Sequence, residues 1–256
     1  MESASARAGS ERPFYALHAE AYDLLITDPA GPWVDAVHET LAGFALSPAS
    51  ILDAGCGTGR HAAGLIARGH RVDLVDASAA LLTQAASRCP TARTTLADLC
   101  TMEVRPAYDA VTCRGVLNDM TTDEERASAV RSLAGSLVPD GVLLLDVRER
   151  RGSRQRADGV TRSRQVDLAA GGRLTFAGRT TWSRGLLHVE ETYELTRPAA
   201  PAQRSRYRFT MRPWTEPELR AALRECGLRI VRVAAGAGRR TPDRLFVVAR
   251  QLSSSG

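Results

Sequence analysis

The stretch from Ile51 to Ser78, ILDAGCGTGRHAAGLIARGHRVDLVDAS, constrains the fold more than any other part of the chain. A short apolar run ends in Asp53, and Gly55, Gly57 and Gly59 follow at alternate positions. A helix-forming segment is then stopped by Gly69, and a second apolar run ends in Asp76. Alternating glycines suit a backbone that must enter φ > 0 in a tight strand-to-helix turn. Two apolar runs joined by a helix form parallel strands, because parallel pairing needs a long crossover. In such sheets ligands sit beyond the carboxyl ends of the strands, where Asp53 and Asp76 fall.

The same alternation continues. SAALLTQAASRC reads as a helix, TTLADL as a short strand, YDAVTCRG as a buried strand, and VLLLDV after Pro139-Asp140-Gly141 as another. Thr122 with Glu125 forms a T-x-x-E capping box for a helix running to about Leu137, and Thr215 with Glu218 forms a second one. Before the core, PFYALHAEAYDLL and PWVDAVHETLAGF carry apolar residues at helical spacing and predict two helices. Between Val160 and Arg212 the period changes to two, which predicts antiparallel strands. LRIVRVA and RLFVVAR then predict a terminal hairpin. The expected fold class is α/β: a Rossmann-like, doubly wound, mostly parallel seven-stranded sheet with an antiparallel β insert after the fifth strand. The expected organisation is a disordered tail over 1–12 and one domain over 13–250, with N-terminal helices over 13–45 and the insert over 160–212. A C-terminal tail over 251–256 completes it.

Composition narrows the function classes. No apolar run approaches the roughly 20 residues of a membrane span, and MESASARAGSERP lacks the apolar core of a secretory leader. A soluble, cytoplasmic protein that makes no membrane contact is expected. The five cysteines are scattered without CxxC spacing, which argues against a disulfide framework and against a metal site. Every basic residue is an arginine, so the net charge of +5 reflects codon bias as much as a polyanion partner.

The glycine loop departs from a dinucleotide fingerprint. Arg60 stands where a third glycine is needed, and the Asp53 carboxylate would repel a pyrophosphate. It would attract an ammonium group, while a carboxylate on the same ligand meets the amides of the helix N-terminus. Asp76 can accept hydrogen bonds from a ribose diol. An amino acid joined to an adenosine is S-adenosylmethionine (SAM).

On these residues the chain resembles the class I SAM-dependent methyltransferases. ILDAGCGTGRHA matches their first motif, VDLVDAS their second, LADL the acidic stretch at the third strand, and YDAVTCRGVLND the fourth. The resemblance implies SAM as cofactor and the loop Asp53, Gly55, Gly57 and Gly59 as its methionine site. It implies Asp76 and Ala77 at the ribose, and Asp98 and Leu99 at the adenine. FYALHAEAYDLL resembles the family's lid helix, with Tyr22, and Tyr15 beside it, over the methionine end. Cys56 reads as a loop filler and His61 as a first-turn helix residue; Arg60 has no assignment.

The acceptor belongs beside the fourth strand, where Arg114, Asn118 and Asp119 are the polar candidates. Arg114 also adjoins the cofactor, and Tyr22 stands on the catalytic side as well. Asn118 and Asp119 have a second reading, as the start of the loop before the Thr122 cap. The chain has CRGVLND where methyltransferases of nucleic-acid bases carry Asn/Asp-Pro-Pro-aromatic, so that chemistry is disfavoured. The insert alternates Phe176, Trp182, Tyr193, Tyr207, Phe209 and Met211 inward against Arg206, Arg208 and Arg212 outward. It resembles the acceptor-capping insert of methyltransferases acting on glycine, sugar amines and indole carbons, and its alternative use is a homodimer interface. The expected acceptor is a small natural-product intermediate of amine or indole type, methylated on N or C. The arginine-rich RERRGSRQRADGVTRSRQ reads as a solvated loop. The rival readings are an RNA methyltransferase using that loop, and a non-catalytic SAM-binding protein.

Overall fold

The computed structural model describes Arg12 and residues 14–251. In chain order the strands are β1 (Ser50–Ala54), β2 (Arg71–Asp76), β3 (Thr94–Leu96), β4 (Tyr108–Arg114), β5 (Leu137–Arg148), β6 (Arg162–Asp167), β7 (Arg173–Ser183), β8 (Leu186–Arg197), β9 (Ala200–Met211), β10 (Leu228–Ala235) and β11 (Arg244–Gln251). The helices are α1 (Tyr22–Leu25), α2 (Gly31–Gly43), α3 (Arg60–Ile66), α4 (Ala79–Arg88), α5 (Asp123–Gly135), α6 (Arg150–Arg156) and α7 (Glu216–Glu225). The main sheet has seven strands in the order β10-β11-β5-β4-β1-β2-β3. β1 to β5 run parallel, and β11 and β10 close the edge antiparallel.

The apolar run of β5 is explained by burial on both faces. Leu143, Leu145 and Val147 pack with Val130 and Leu133 of α5 and Leu219 and Leu223 of α7. Val142 and Leu144 pack on the other face with Trp33 and Val37 of α2 and Leu65 of α3. Truncating a wholly buried leucine such as Leu144 to alanine leaves a cavity and costs about 2–5 kcal/mol. Both capping boxes are present, Thr122 with Glu125 and Thr215 with Glu218, and α5 ends at Gly135.

The antiparallel insert is a separate four-stranded sheet, β6-β7-β8-β9. Phe176, Tyr193 and Tyr207 share its inner face and pack with Phe14 and Leu25. Arg206 and Arg208 face outward and pair with Glu190.

Four expectations need correction. The first N-terminal segment is not a regular helix: turns lead into a 3-10 turn at Ala19–Ala21 and the one-turn α1, because its side chains are tied to the glycine loop and the insert. Arg12, expected in a tail, is packed under Phe209 and paired with Glu191. The arginine-rich stretch is only in part a solvated loop: Arg151 and Arg154 are exposed, and residues 157–161 connect α6 to β6, but the stretch as a whole is not irregular. It forms α6, where Arg150 pairs with Glu218 and Arg156 with Asp243. Arg212 does not face solvent, but pairs with Asp123 and Glu218 and donates to the Thr121 carbonyl. The rest of the expected tails, 1–11 and 252–256, lies outside the described residues, and Gln251 ends β11.

Candidate functional site

The carboxyl ends of β1, β2 and β4 open into a cleft of about 570 Å³, walled opposite by the insert. Gly55, Gly57 and Gly59 all have positive φ. At Gly55 a side chain is also excluded by space, since a Cβ would lie 2.3 Å from Val116 Cγ2. Asp53 ends β1 beside Thr112 of β4, whose hydroxyl donates to Asp53 Oδ1 over 2.9 Å. Asp53 Oδ2 is buried with no hydrogen-bond partner. Burial pushes the Asp53 carboxyl up to about 6, against the Thr112 hydrogen bond that favours its charged form.

Asp76 ends β2 and holds the loop, its Oδ2 accepting from Gly57 N (2.8 Å) and its Oδ1 from Ser78 N (2.9 Å). Each oxygen keeps a second lone pair for a ligand hydroxyl. Burial raises the Asp76 carboxyl while the backbone donors oppose the rise. Asp98 accepts from Cys100 N at 2.8 Å, Leu99 is buried, and both line the cleft with Ala77.

The N-terminal segment closes over this half. Tyr22 lies across Gly57, with its ring about 4 Å from where a Cβ would stand. Asp23 accepts from Thr58 Oγ1 (2.8 Å) and pairs with Arg88 (2.7 Å). Ser78 Oγ donates to the Tyr15 carbonyl (2.6 Å). Arg60 donates to the carbonyls of Ile26 (3.2 Å) and Asp28 (2.8 Å), which gives it a role the sequence left open. Burial raises the Tyr22 phenol, so it stays neutral.

Of the residues expected beside β4, two reach the cleft. Arg114 lines it with Nε and Nη2 buried and unpartnered, over the Trp33 ring. Burial, reinforced by Arg239, pushes its guanidinium down to about 10. Asp119 lines the cleft; its backbone N–H donates to the Val116 carbonyl (2.9 Å), and its carboxylate makes no hydrogen bond among the described residues. Desolvation lifts its carboxyl to about 6 against the pull of Arg12, Arg244 and Arg148. Asn118 is not brought to the cleft. It is wholly buried, donates to the Gly115 carbonyl (3.1 Å), and accepts from Arg148 N (2.7 Å), so it joins the ends of β4 and β5.

Several lining residues escaped sequence reading: Arg12 and Glu191, which pair, and Arg148, Arg244 and Asp243. Glu191 sits on the apolar face of β8, and also accepts from the Tyr193 hydroxyl. A glutamate breaking the period-two apolar pattern of LLHVEETYELT was the available signal. His61 Nε2 is buried without a partner, and burial together with Arg114 and Arg60 holds the ring neutral. Carboxylates therefore gather at β1 to β3 and guanidinium groups at β4, β5 and β11, giving the cleft two electrical halves.

Residues 51–141 match the family model described as a methyltransferase domain. Trans-aconitate 2-methyltransferase of Paracidovorax citrulli is 32% identical over 168 residues, covering 64% of this chain and 62% of that protein. The matched part thus spans less than two thirds of this curated relative. Among solved structures, DesVI of Streptomyces venezuelae superposes with a TM-score of 0.78 at 22% identity, over 92% of this chain and 98% of its own. The sugar N-methyltransferase KedS8 from Streptoalloteichus sp. gives 0.78 at 23%, over 90% and 92%. A SAM-dependent methyltransferase from Clostridium acetobutylicum gives 0.76 at 17%, over 92% and 98%. These structural likenesses are likenesses of fold. Among the described residues no helix is long and apolar enough to cross a membrane.

Proposed function

We propose that the chain, whose residues 51–141 match a methyltransferase-domain model, is a class I SAM-dependent methyltransferase that moves the SAM methyl group to a small acceptor of specialised metabolism, acting in the cytoplasm. The carrying observation is Asp53 Oδ2, a buried carboxylate oxygen without a partner at the mouth of a glycine loop. It fits an ammonium group, and it does not fit a pyrophosphate.

The other cleft residues fit the same cofactor. Asp76 and Ala77 border the ribose, and Asp98 and Leu99 the adenine. Gly55, Gly57 and Gly59 leave room for the methionine chain beneath Tyr22. The unpartnered Arg114 guanidinium and neutral His61 serve the methionine carboxylate. The cofactor supplies an electrophilic methyl on a sulfonium, to be displaced in line.

What the protein contributes is alignment and exclusion of water. Tyr22 and Tyr15, held by the Asp23–Thr58 and Ser78–Tyr15 bonds, cover the cofactor half. Asp119 faces the acceptor half with a carboxyl near 6, ionised at neutral pH and able to accept the proton that an amine or indole nitrogen sheds as the acceptor's bond to the methyl carbon forms and the carbon–sulfur bond breaks. Phe176, Phe209 and Met211 of the insert supply an apolar wall for a flat acceptor body. Methylation on N or C of an amine- or indole-type acceptor is the finer reading these groups support. The RNA reading is weakened, because Arg150 is engaged by Glu218 and Arg148 and Arg156 by Asp243, which leaves Arg151 and Arg154 as the α6 arginines without an ion pair among the described residues. Labelled SAM incubated with the protein and a panel of small aromatic amines and indoles, beside RNA, tests the proposal. Label appearing in a small acceptor supports it, and label appearing in RNA alone overturns it.

A further inference from the structure

Arg148 and Arg244 stand directly opposite each other on the paired strands β5 and β11, at the end of β5 that opens on the cleft. Like charges in that relation repel and destabilise a sheet. Arg244 is nearly buried, and Asn118 fixes the Arg148 backbone at 2.7 Å, so neither charge is placed there casually. Arg156, at the end of α6, approaches the same point through Asp243.

Their carboxylate partners leave donors unused. Arg148 Nη1 binds Asp243 Oδ2, and its Nη2 makes no hydrogen bond among the described residues. Arg244 binds Asp146 through Nη1 alone, and Asp146 is shared with Nε and Nη2 of Arg239, whose Nη1 binds Asp28. Arg148, Arg156, Arg239 and Arg244 thus outnumber by one the carboxylates that pair with them, Asp28, Asp146 and Asp243. Asp119 bears on the cluster without forming an ion pair to it among the described residues. Burial, and then Arg148, push the Arg244 guanidinium down to about 9, against the pull of Asp146 and Asp243.

We propose that Arg148 and Arg244, with Arg156 at the rim, form an anion subsite that anchors a carboxylate carried by the methyl acceptor. Planar guanidinium forks with unused donors match a carboxylate better than a phosphate dianion, and Arg148 Nε is buried without a partner. As a statement about the acceptor it rests on the methyltransferase reading. The reacting atom of the acceptor then lies toward Asp119 and the methyl group, and its carboxylate toward β5 and β11.

The test is calorimetry on the full chain, free and loaded with S-adenosylhomocysteine, with phenylacetate, phenylacetamide and inorganic phosphate as probes. Phenylacetate is expected to bind at least about tenfold tighter than the amide, because the acid alone makes charge-assisted bonds. Arg148→Gln, which keeps a donor for Asp243, is expected to erase that difference and leave S-adenosylhomocysteine affinity unchanged. Arg156→Gln, on a half-exposed side chain with one contact, is expected to fold and to reduce the preference, so a failure of the first variant to fold leaves the test intact. Acid and amide binding alike, no phenylacetate binding, or preference for phosphate overturns the subsite. Absence of S-adenosylhomocysteine binding with the phenylacetate preference retained instead sinks the methyltransferase reading and spares the anion site.

Discussion

The Thr112 hydroxyl donates to Asp53 Oδ1 across the β1–β4 pair, and Asp53 Oδ2 is left buried with no partner. A carboxyl raised to about 6 from the ordinary 3.8 favours its neutral form in the folded chain. Its charge therefore lowers stability, progressively as pH rises from the unfolded value through the folded one. Asp53→Asn is expected to raise the stability of the ligand-free protein at pH about 7.5 by about 1–3 kcal/mol. The same substitution should weaken SAM binding about ten- to a hundred-fold, since an ammonium loses its anion. Urea unfolding beside calorimetry reads both, and a variant that is less stable with unchanged affinity contradicts the assignment.

Asp23 ties the covering segment to the glycine loop through Thr58 and Arg88. Asp23→Ala removes both bonds without touching the strands. Dissociation of S-adenosylhomocysteine should quicken about tenfold, as expected when a closing contact of about 1–2 kcal/mol is lost. Stopped-flow release is the measurement, and an unchanged off-rate means the segment does not close the cofactor half.

Asp119 is the acceptor-side counterpart. Asp119→Asn keeps the shape and should leave SAM affinity near normal while lowering kcat about 10²–10⁴-fold, the range for a general base. A smaller loss assigns orientation only, and lost SAM affinity moves the residue to the cofactor half. In the wild type, single-turnover rate should fall as pH drops below about 6, where Asp119 takes up its proton.

Away from the cleft, His70 Nδ1 accepts from Ala49 N at 3.1 Å and its Nε2 meets His38 Nδ1 at 3.0 Å. The backbone donor requires His70 to be neutral at Nδ1, and burial followed by His38 holds its pKa below the ordinary 6.5. A depressed imidazole contributes stability that is complete above the unfolded value and is lost as pH falls from 6.5 through the folded value. Denaturant unfolding of wild type and His70→Gln from about pH 8 to 5 should show the steeper decline in the wild type. Parallel pH slopes would show that this pair carries no linkage.

The half of the cleft that sequence made legible is local: Asp53, the glycines and Asp76 follow one another within a strand-turn-helix-strand unit. Alternation also disclosed β5 and the insert, since burial on one or two faces sets that period directly. Asn118 and Asp119 are adjacent polar candidates in CRGVLND, with Asp119 the better placed for an acceptor; one bridges β4 and β5 and the other faces the cleft, because the turn geometry decides which side chain points inward. Arg148 and Arg244 are far apart in sequence, and meet through a strand register that no local pattern encodes. Arg12 sits in a polar N-terminal stretch, and its partners Glu191 and Phe209 lie far along the chain on β8 and β9.

The most direct measurement is a calorimetric titration of the wild-type chain with SAM, S-adenosylhomocysteine, NAD and NADP under one condition. SAM and S-adenosylhomocysteine should bind with dissociation constants of about 1–100 μM, corresponding to roughly 5–8 kcal/mol, and neither dinucleotide should give heat. Binding of NAD or NADP in preference to SAM, or of none of the four, would contradict the assignment of the Asp53–Gly57–Asp76 cleft to an amino-acid nucleoside.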